Sequence, residues 1–316
     1  MIGKSDFEID GIIPIIPTPF ARDERIHTAS LAGLVDFAVA AGACAVGLPA
    51  YGSEFYKLSE DERRQVIATA IEAAAGRIPV IAQVNHFSAA HAADAARWAQ
   101  SSGASAICTA VPRLFALPEN DIVRYFGRIL GAIDIPLIIQ DFNPGGPTIS
   151  ADFVADLHRI FPNFRYVKLE EPQMGAKVRA ILRATDGEVG VVEGWGGMYL
   201  VELIHDGICG VMPSLALTDI LVTIWQLVRR GEQAKAFAIL QAVLPQIVFS
   251  LQHLELYHHA EKRLLSARGV LQETTVRDAA ITLEPQQVDY IAFLNQNILS
   301  LLQQLGLRRN PVLTET

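Results

Sequence analysis

Short apolar runs alternate along the chain with longer stretches whose apolar positions recur every three to four residues. The short runs predict strands at 11–20, 44–49, 78–84, 105–111, 135–140, 164–170, 190–193 and 208–212. The longer stretches predict helices at 28–41, 59–75, 88–101, 119–132, 150–160, 174–184, 197–206 and 217–229. Ser59 with Glu62 forms an S-x-x-E capping box at the start of the second helix, and Gly76 stops it. Eight βα units within about 230 residues are the signature of a (β/α)8 TIM barrel, an α/β fold with a closed parallel sheet. A dinucleotide fold would place G-x-G-x-x-G after the first strand, where the chain instead reads PTPFARDERI. Residues 1–230 are thus expected to form a catalytic barrel. Residues 231–316 are expected to form a C-terminal helical appendix of three helices packed on it, ending in a disordered RRNPVLTET tail.

In such a barrel the chemistry sits at the C-terminal ends of the strands. The positions to inspect are Thr18, Tyr51 to Glu54, Asn85, His86, Arg113, Gln140, Asp141, Lys168, Glu170, Glu193 to Trp195, and Ser214. The sixth strand carries the sharpest signal, FRYVKLEEP. Side chains alternate along a strand, so Tyr166, Lys168 and Glu170 share one face and Val167 and Leu169 the other. With the apolar pair turned to the covering helices, Lys168 points into the barrel. A lysine there is costly unless it is paired or held as the neutral amine that Schiff-base chemistry requires. The plainer alternative is a lysine that snorkels to water or pairs with Glu170.

Composition narrows the function classes. A net charge of −8 without basic clusters argues against nucleic acid and anionic membranes. No apolar run reaches the length of a membrane span, and MIGKSDFEIDG lacks the apolar core of a signal peptide. Cys44, Cys108 and Cys209 are scattered in apolar runs, as expected of reduced thiols in a cytoplasmic protein.

Several stretches together resemble the dihydrodipicolinate synthase/N-acetylneuraminate lyase family of class I aldolase-type barrels, over about residues 10 to 300. They are GIIPIIPTPF, GSEFYKLSEDER, GRIPVIAQV, IPLIIQDFNP and RYVKLEEP, in that order. The resemblance implies that Lys168 forms an imine with a 2-keto acid, that no other cofactor is needed, and that the chain assembles as a homo-oligomer, commonly a tetramer in the family.

The departures from the family pattern carry further information. The family's fifth strand ends in Tyr-Asn-x-Pro, with a tyrosine that relays protons near the imine, whereas this chain has Gln140 and Asp141. Its Gly-Thr-Thr-Gly-Glu carboxylate loop corresponds to Ala50-Tyr51-Gly52-Ser53-Glu54, leaving Ser53 and the backbone beside it as carboxylate donors. Its paired tyrosines after the fourth strand are replaced by Arg113 and Leu114. His86-Phe87-Ser88, Gln140-Asp141, Lys168-x-Glu170-x-Pro172 and Glu193-Gly194-Trp195 are more similar to a branch typified by L-2-keto-3-deoxyarabonate dehydratase.

Imine chemistry on a 2-keto acid can break C3–C4 or expel the C4 hydroxyl. Cleavage needs a base on the C4 hydroxyl, and Gln140 cannot titrate to serve as one. Dehydration needs a base at C3 and an acid at the leaving hydroxyl, a role open to Glu170. The expected enzyme is therefore a lyase, with dehydration of a 2-keto-3-deoxy sugar acid preferred. Retro-aldol cleavage, pyruvate condensation and non-catalytic keto-acid binding are the alternatives. Tyr51 either substitutes for the missing tyrosine or packs, His86 binds a sugar-acid hydroxyl or sits on a surface loop, and Trp195 and Met198 wall the pocket. His253, Glu255, His258 and His259 cluster on one predicted helix but lack an i, i+4 histidine pair, so no metal is expected.

Overall fold

Pro14, Pro17 and Pro19 decide how the barrel begins, because each removes a backbone donor from the first strand. The computed structural model describes residues 7–113, 115–143, 146 and 148–313. Within them the expected 11–20 strand shrinks to β1, Gly11–Ile12. Beyond it the chain pairs through single bridges, of Ile15 to Gly47 and to Ser214 and of Phe20 to Ile26 and to Thr275.

The other strands are β2 (Val46–Leu48), β3 (Val80–Gln83), β4 (Ala106–Ala110), β5 (Leu137–Phe142), β6 (Phe164–Glu170), β7 (Gly190–Glu193) and β8 (Gly210–Val211). All pair in parallel, in the order β1-β8-β7-β6-β5-β4-β3-β2. The Ile16 amide donates to the Gly47 carbonyl at 3.0 Å, and the Gly47 amide to the Pro14 carbonyl at 3.0 Å, which closes the sheet between its first and last members. The fold is the (β/α)8 barrel.

Among the described residues eight helices cover the barrel: α1 (Thr28–Ala40), α2 (Glu60–Ala74), α3 (Ala89–Ser101), α4 (Glu119–Leu130), α5 (Ala151–Ile160), α6 (Met174–Ala184), α7 (Leu200–Asp206) and α8 (Thr218–Arg229). The capping box on α2 forms as expected, Ser59 accepting from the Glu62 amide while Glu62 accepts from the Ser59 amide. Helix α7 starts three residues later than the pattern predicts. Gly196 and Gly197 take φ of 69° and 87°, and this left-handed turn delays the helix.

The chain then continues through α9 (Gln233–Ser250), α10 (Leu254–Ala267) and α11 (Pro285–Gln304). Val243, Leu264 and Ile298 from these helices join the same apolar cluster as the barrel helices. The tail is not loose through residue 313. Arg268 donates to the carbonyls of Arg308 and Arg309, and Asn310 to that of Gly269. The last three residues lie outside the described set.

Inside the barrel a second cluster of Ile13, Ile81, Cys108, Ile138, Tyr166 and Val192 fills the lower layers. Above it the inward positions of β3, β5 and β6 turn polar, with Gln83, Gln140, Lys168 and Glu170 all buried.

Candidate active site

Strand alternation delivers Lys168 and Glu170 to the barrel interior one above the other. Lys168 Nζ lies 2.9 Å from Glu170 Oε1, and both groups are buried. From β5, the register sets Gln140 beside Lys168. Gln140 Nε2 donates to both carboxylate oxygens, at 3.1 and 3.2 Å. The carboxylate thus sits between a lysine and an amide that cannot titrate. Cys108 from β4 has its thiol pushed up to about 12 by burial, an effect that Lys168 opposes and Glu170 adds to.

Directly after β7, Gly194 makes this packing possible. A Cβ there would stand 2.4 Å from Glu170 Cγ and 2.8 Å from Lys168 Cε. Tyr51 opens a 3-10 turn, Tyr51–Ser53, after β2. Its phenol is held protonated above the usual range by burial and then by the Glu170 carboxylate. Its ring meets Phe55 at 4.9 Å and Phe142 at 6.1 Å. Lys168, Glu170, Gln140 and Gly194 therefore meet at one point of the barrel mouth, with Tyr51 near enough for the Glu170 carboxylate to act on its phenol.

Other expected site residues turn away from it. Asp141 and Glu193 each follow an inward-facing residue, so alternation sends them outward. Asp141 accepts from Arg113 at 2.6 Å and from the Ile149 amide at 2.6 Å, which fixes the chain after β5. Glu193 accepts from the Gly197 amide at 2.8 Å, and burial raises its carboxyl to about 7. Trp195 packs its ring 5.9 Å from Tyr199, and with Met198 it lies against the helical core. His86 accepts from the Ser88 amide through Nδ1 at 2.8 Å and lies 4.8 Å from the His91 ring on the α3 side. Leu114 lies outside the described residues.

Ser53 is not free to grip a carboxylate. Its hydroxyl donates to the Ile16 carbonyl at 2.5 Å and its amide to the Ala50 carbonyl at 2.9 Å. Both donors are spent on anchoring the turn to β1. Ser214 hydrogen-bonds Glu261 of α10, whose carboxyl burial raises to about 7.

The histidines of α10 are used locally: His253 caps the helix, His258 meets the Tyr56 hydroxyl at 3.0 Å, and His259 meets the Ile281 carbonyl at 3.0 Å. Among the described residues no group of acidic, histidine or cysteine side chains could hold a metal, and no helix is long and apolar enough to cross a membrane.

Sequence reasoning missed Gln83, the last residue of β3. Its side chain points inward beside Gly47, and its Oε1 faces Asn85 Nδ2 at 3.5 Å. Asn85 is itself oriented by accepting from the Ala110 amide at 2.7 Å. Gln83 Nε2 and Gln140 Oε1 are left unpaired and buried, a donor and an acceptor for a ligand's polar groups. The alternation Val80-Ile81-Ala82-Gln83 carried the signal, since Gln83 falls in register with inward Ile81.

The family model of the dihydrodipicolinate synthetase family matches residues 8–296. The chain belongs to that family. Members of this family are lyases. The chain is 31% identical over 267 residues to L-2-keto-3-deoxyarabonate dehydratase of Azospirillum brasilense, covering 83% of this chain and 84% of the relative. It is 28% identical over 270 residues to 4-hydroxy-tetrahydrodipicolinate synthase of Chlorobium phaeobacteroides, covering 84% and 89%. The fold matches crystal structures of dihydrodipicolinate synthase from Rhodopseudomonas palustris and of YagE from E. coli. The first has a TM-score of 0.85 at 23% identity, covering 92% of this chain and 97% of that one. The second, solved with pyruvate, has 0.81 at 23%, covering 94% and 99%.

Proposed function

We propose that the chain is a class I lyase in which Lys168 forms an imine with a small 2-keto acid, and that its reaction is dehydration of a 2-keto-3-deoxy sugar acid. The carrying observation is the Glu170 carboxylate, held between Lys168 Nζ and Gln140 Nε2 where the family pattern has a tyrosine. The similarity to the Azospirillum dehydratase supports the same reading. So do the unpaired amide atoms of Gln83 and Gln140, which suit a substrate with hydroxyls beyond its keto acid.

Lys168 attacks C2 of the keto acid through its nitrogen lone pair, with Glu170 positioned to hold the amine's proton during attack. Loss of the C2 oxygen as water leaves a protonated imine, an electron sink that needs no further cofactor. Glu170 then removes a proton from C3, and the C3–H electrons form the enamine. As the C4–O bond breaks, the enamine electrons form C3=C4 and return the iminium. The leaving hydroxyl takes a proton from Glu170 and departs as water. Hydrolysis of the imine frees Lys168. Gln140 orients the carboxylate without competing for its proton, and Tyr51 offers a neutral phenol near it. The three free cysteines suit a reducing compartment.

Incubation with a panel of 2-keto-3-deoxy acids, followed by mass analysis of products, tests the reaction type. Products lighter by one water are expected. Release of pyruvate with an aldehyde fragment would instead mean carbon–carbon cleavage.

A further inference from the structure

With Ser53 committed to β1, the turn that follows β2 has lost its hydroxyl donor, yet a second hydroxyl stands against it. Tyr257 belongs to α10, outside the barrel, and its ring reaches the neighbouring Gly52. A Cβ on Gly52 would lie 3.1 Å from Tyr257 Oη, 3.1 Å from Tyr257 Cε1 and 3.1 Å from Ile15 Cγ2 of the inner barrel cluster. Glycine at 52 is what lets that phenol approach the backbone of the turn. Among the described residues the Tyr257 hydroxyl has no hydrogen-bond partner. The phenol is held protonated, its pKa well above the ordinary value, by burial and then by Glu261. Tyr51, next to Gly52 in the same turn, is close enough to Glu170 for that carboxylate to help raise its phenol.

We propose that Tyr257 donates its hydroxyl to the carboxylate of the 2-keto acid beside Gly52, making the helical appendix a contributor to substrate binding. This rests on the reading of Lys168 as the imine-forming residue. A keto acid whose C2 is bound to Lys168 carries its carboxylate one bond away. A neutral phenol is a strong donor to such an anion.

The test compares borohydride trapping of pyruvate and of methyl pyruvate, which keeps the ketone but lacks the anionic carboxylate. In the wild type both label Lys168, with pyruvate half-saturating at the lower concentration. In Tyr257→Phe the pyruvate half-saturation rises about tenfold or more, the effect of losing a hydrogen bond to a charged group. The methyl pyruvate value stays within about twofold. Equal shifts for both ligands, or no shift for pyruvate, would overturn the role of Tyr257 while leaving the imine intact. Absence of any wild-type adduct would overturn the Lys168 reading and this proposal with it. Should the Phe variant lose its fold, Tyr257→Met with the same ratio decides.

Discussion

Lys168 Nζ and Glu170 Oε1 lie 2.9 Å apart because they are two positions along one strand and face the same way. In the proposed reaction the pair serves as nucleophile and base in contact, and the Gln140 amide spans the carboxylate from the next strand. A lysine paired only for structural reasons would show the same distance. The two cases separate by what each variant does to chemistry and to stability.

Glu170→Gln keeps the size of the side chain and removes its ability to carry a proton. Product formation is expected to fall roughly hundredfold to ten-thousandfold, the usual contribution of a positioned acid/base. Steady-state rates and adduct masses measured side by side check this, with the Lys168 adduct still trappable. A variant retaining full turnover would leave Glu170 as an ion partner only.

Gly194→Ala places a methyl group 2.4 Å from Glu170 Cγ and 2.8 Å from Lys168 Cε, closer than any real contact. One or both side chains must move. Turnover and adduct formation are expected to fall at least tenfold, while overpacking costs about 1–3 kcal/mol of stability. Denaturant midpoints measured with the rates distinguish a displaced site from an unfolded chain.

A second buried lysine has a structural role that can be measured. Lys262 of α10 sits 2.6 Å from Glu54 Oε1 and donates to the Thr275 carbonyl at 2.7 Å, while burial lowers its pKa to about 8. Glu54 is also met by Lys57 at 3.1 Å. Lys262→Met leaves Glu54 with less compensation and is expected to cost about 3 kcal/mol, read by urea unfolding. Combining it with Glu54→Gln is expected to cost less than the sum of the two single changes.

The raised carboxyl of Glu193 makes stability depend on pH with a definite sign. Between its unfolded value of 4.5 and its folded value of about 7, the folded chain holds a proton that the unfolded chain has released. That contribution is therefore lost as pH rises through the window. In Glu193→Gln the loss is absent, so the variant gains on the wild type from pH 4.5 to above 7, by at most about 3 kcal/mol. The difference between the two unfolding curves isolates Glu193. His258, lowered well below its ordinary value by burial, and Glu261, raised like Glu193, act equally in both proteins. A difference that is flat with pH would mean that Glu193 is ionised throughout.

The barrel was readable because every βα unit carries its own local punctuation, as in the Ser59–Glu62 box and the stop at Gly76. Alternation also placed Lys168, Glu170 and Gln140 correctly, since inward and outward faces differ by one residue. The same rule marks Asp141 and Glu193 as outward once Gln140 and Gly194 are inward, so naming both members of each pair overcounted the site. The local bonds of Ser53 and His86 were not legible for another reason. Each lies in a turn where the side chain answers to local backbone groups, which strand periodicity does not describe. Tyr257 and Lys262 were beyond reach because they meet residues about two hundred positions earlier, through packing of the appendix on the barrel.

The most direct measurement is intact mass after incubation with pyruvate and borohydride, followed by peptide mapping. A single reduced adduct on Lys168, absent from Lys168→Ala and absent without borohydride, is the expected result. An unlabelled wild type, or a label that persists in Lys168→Ala, would contradict imine formation at the centre of this barrel.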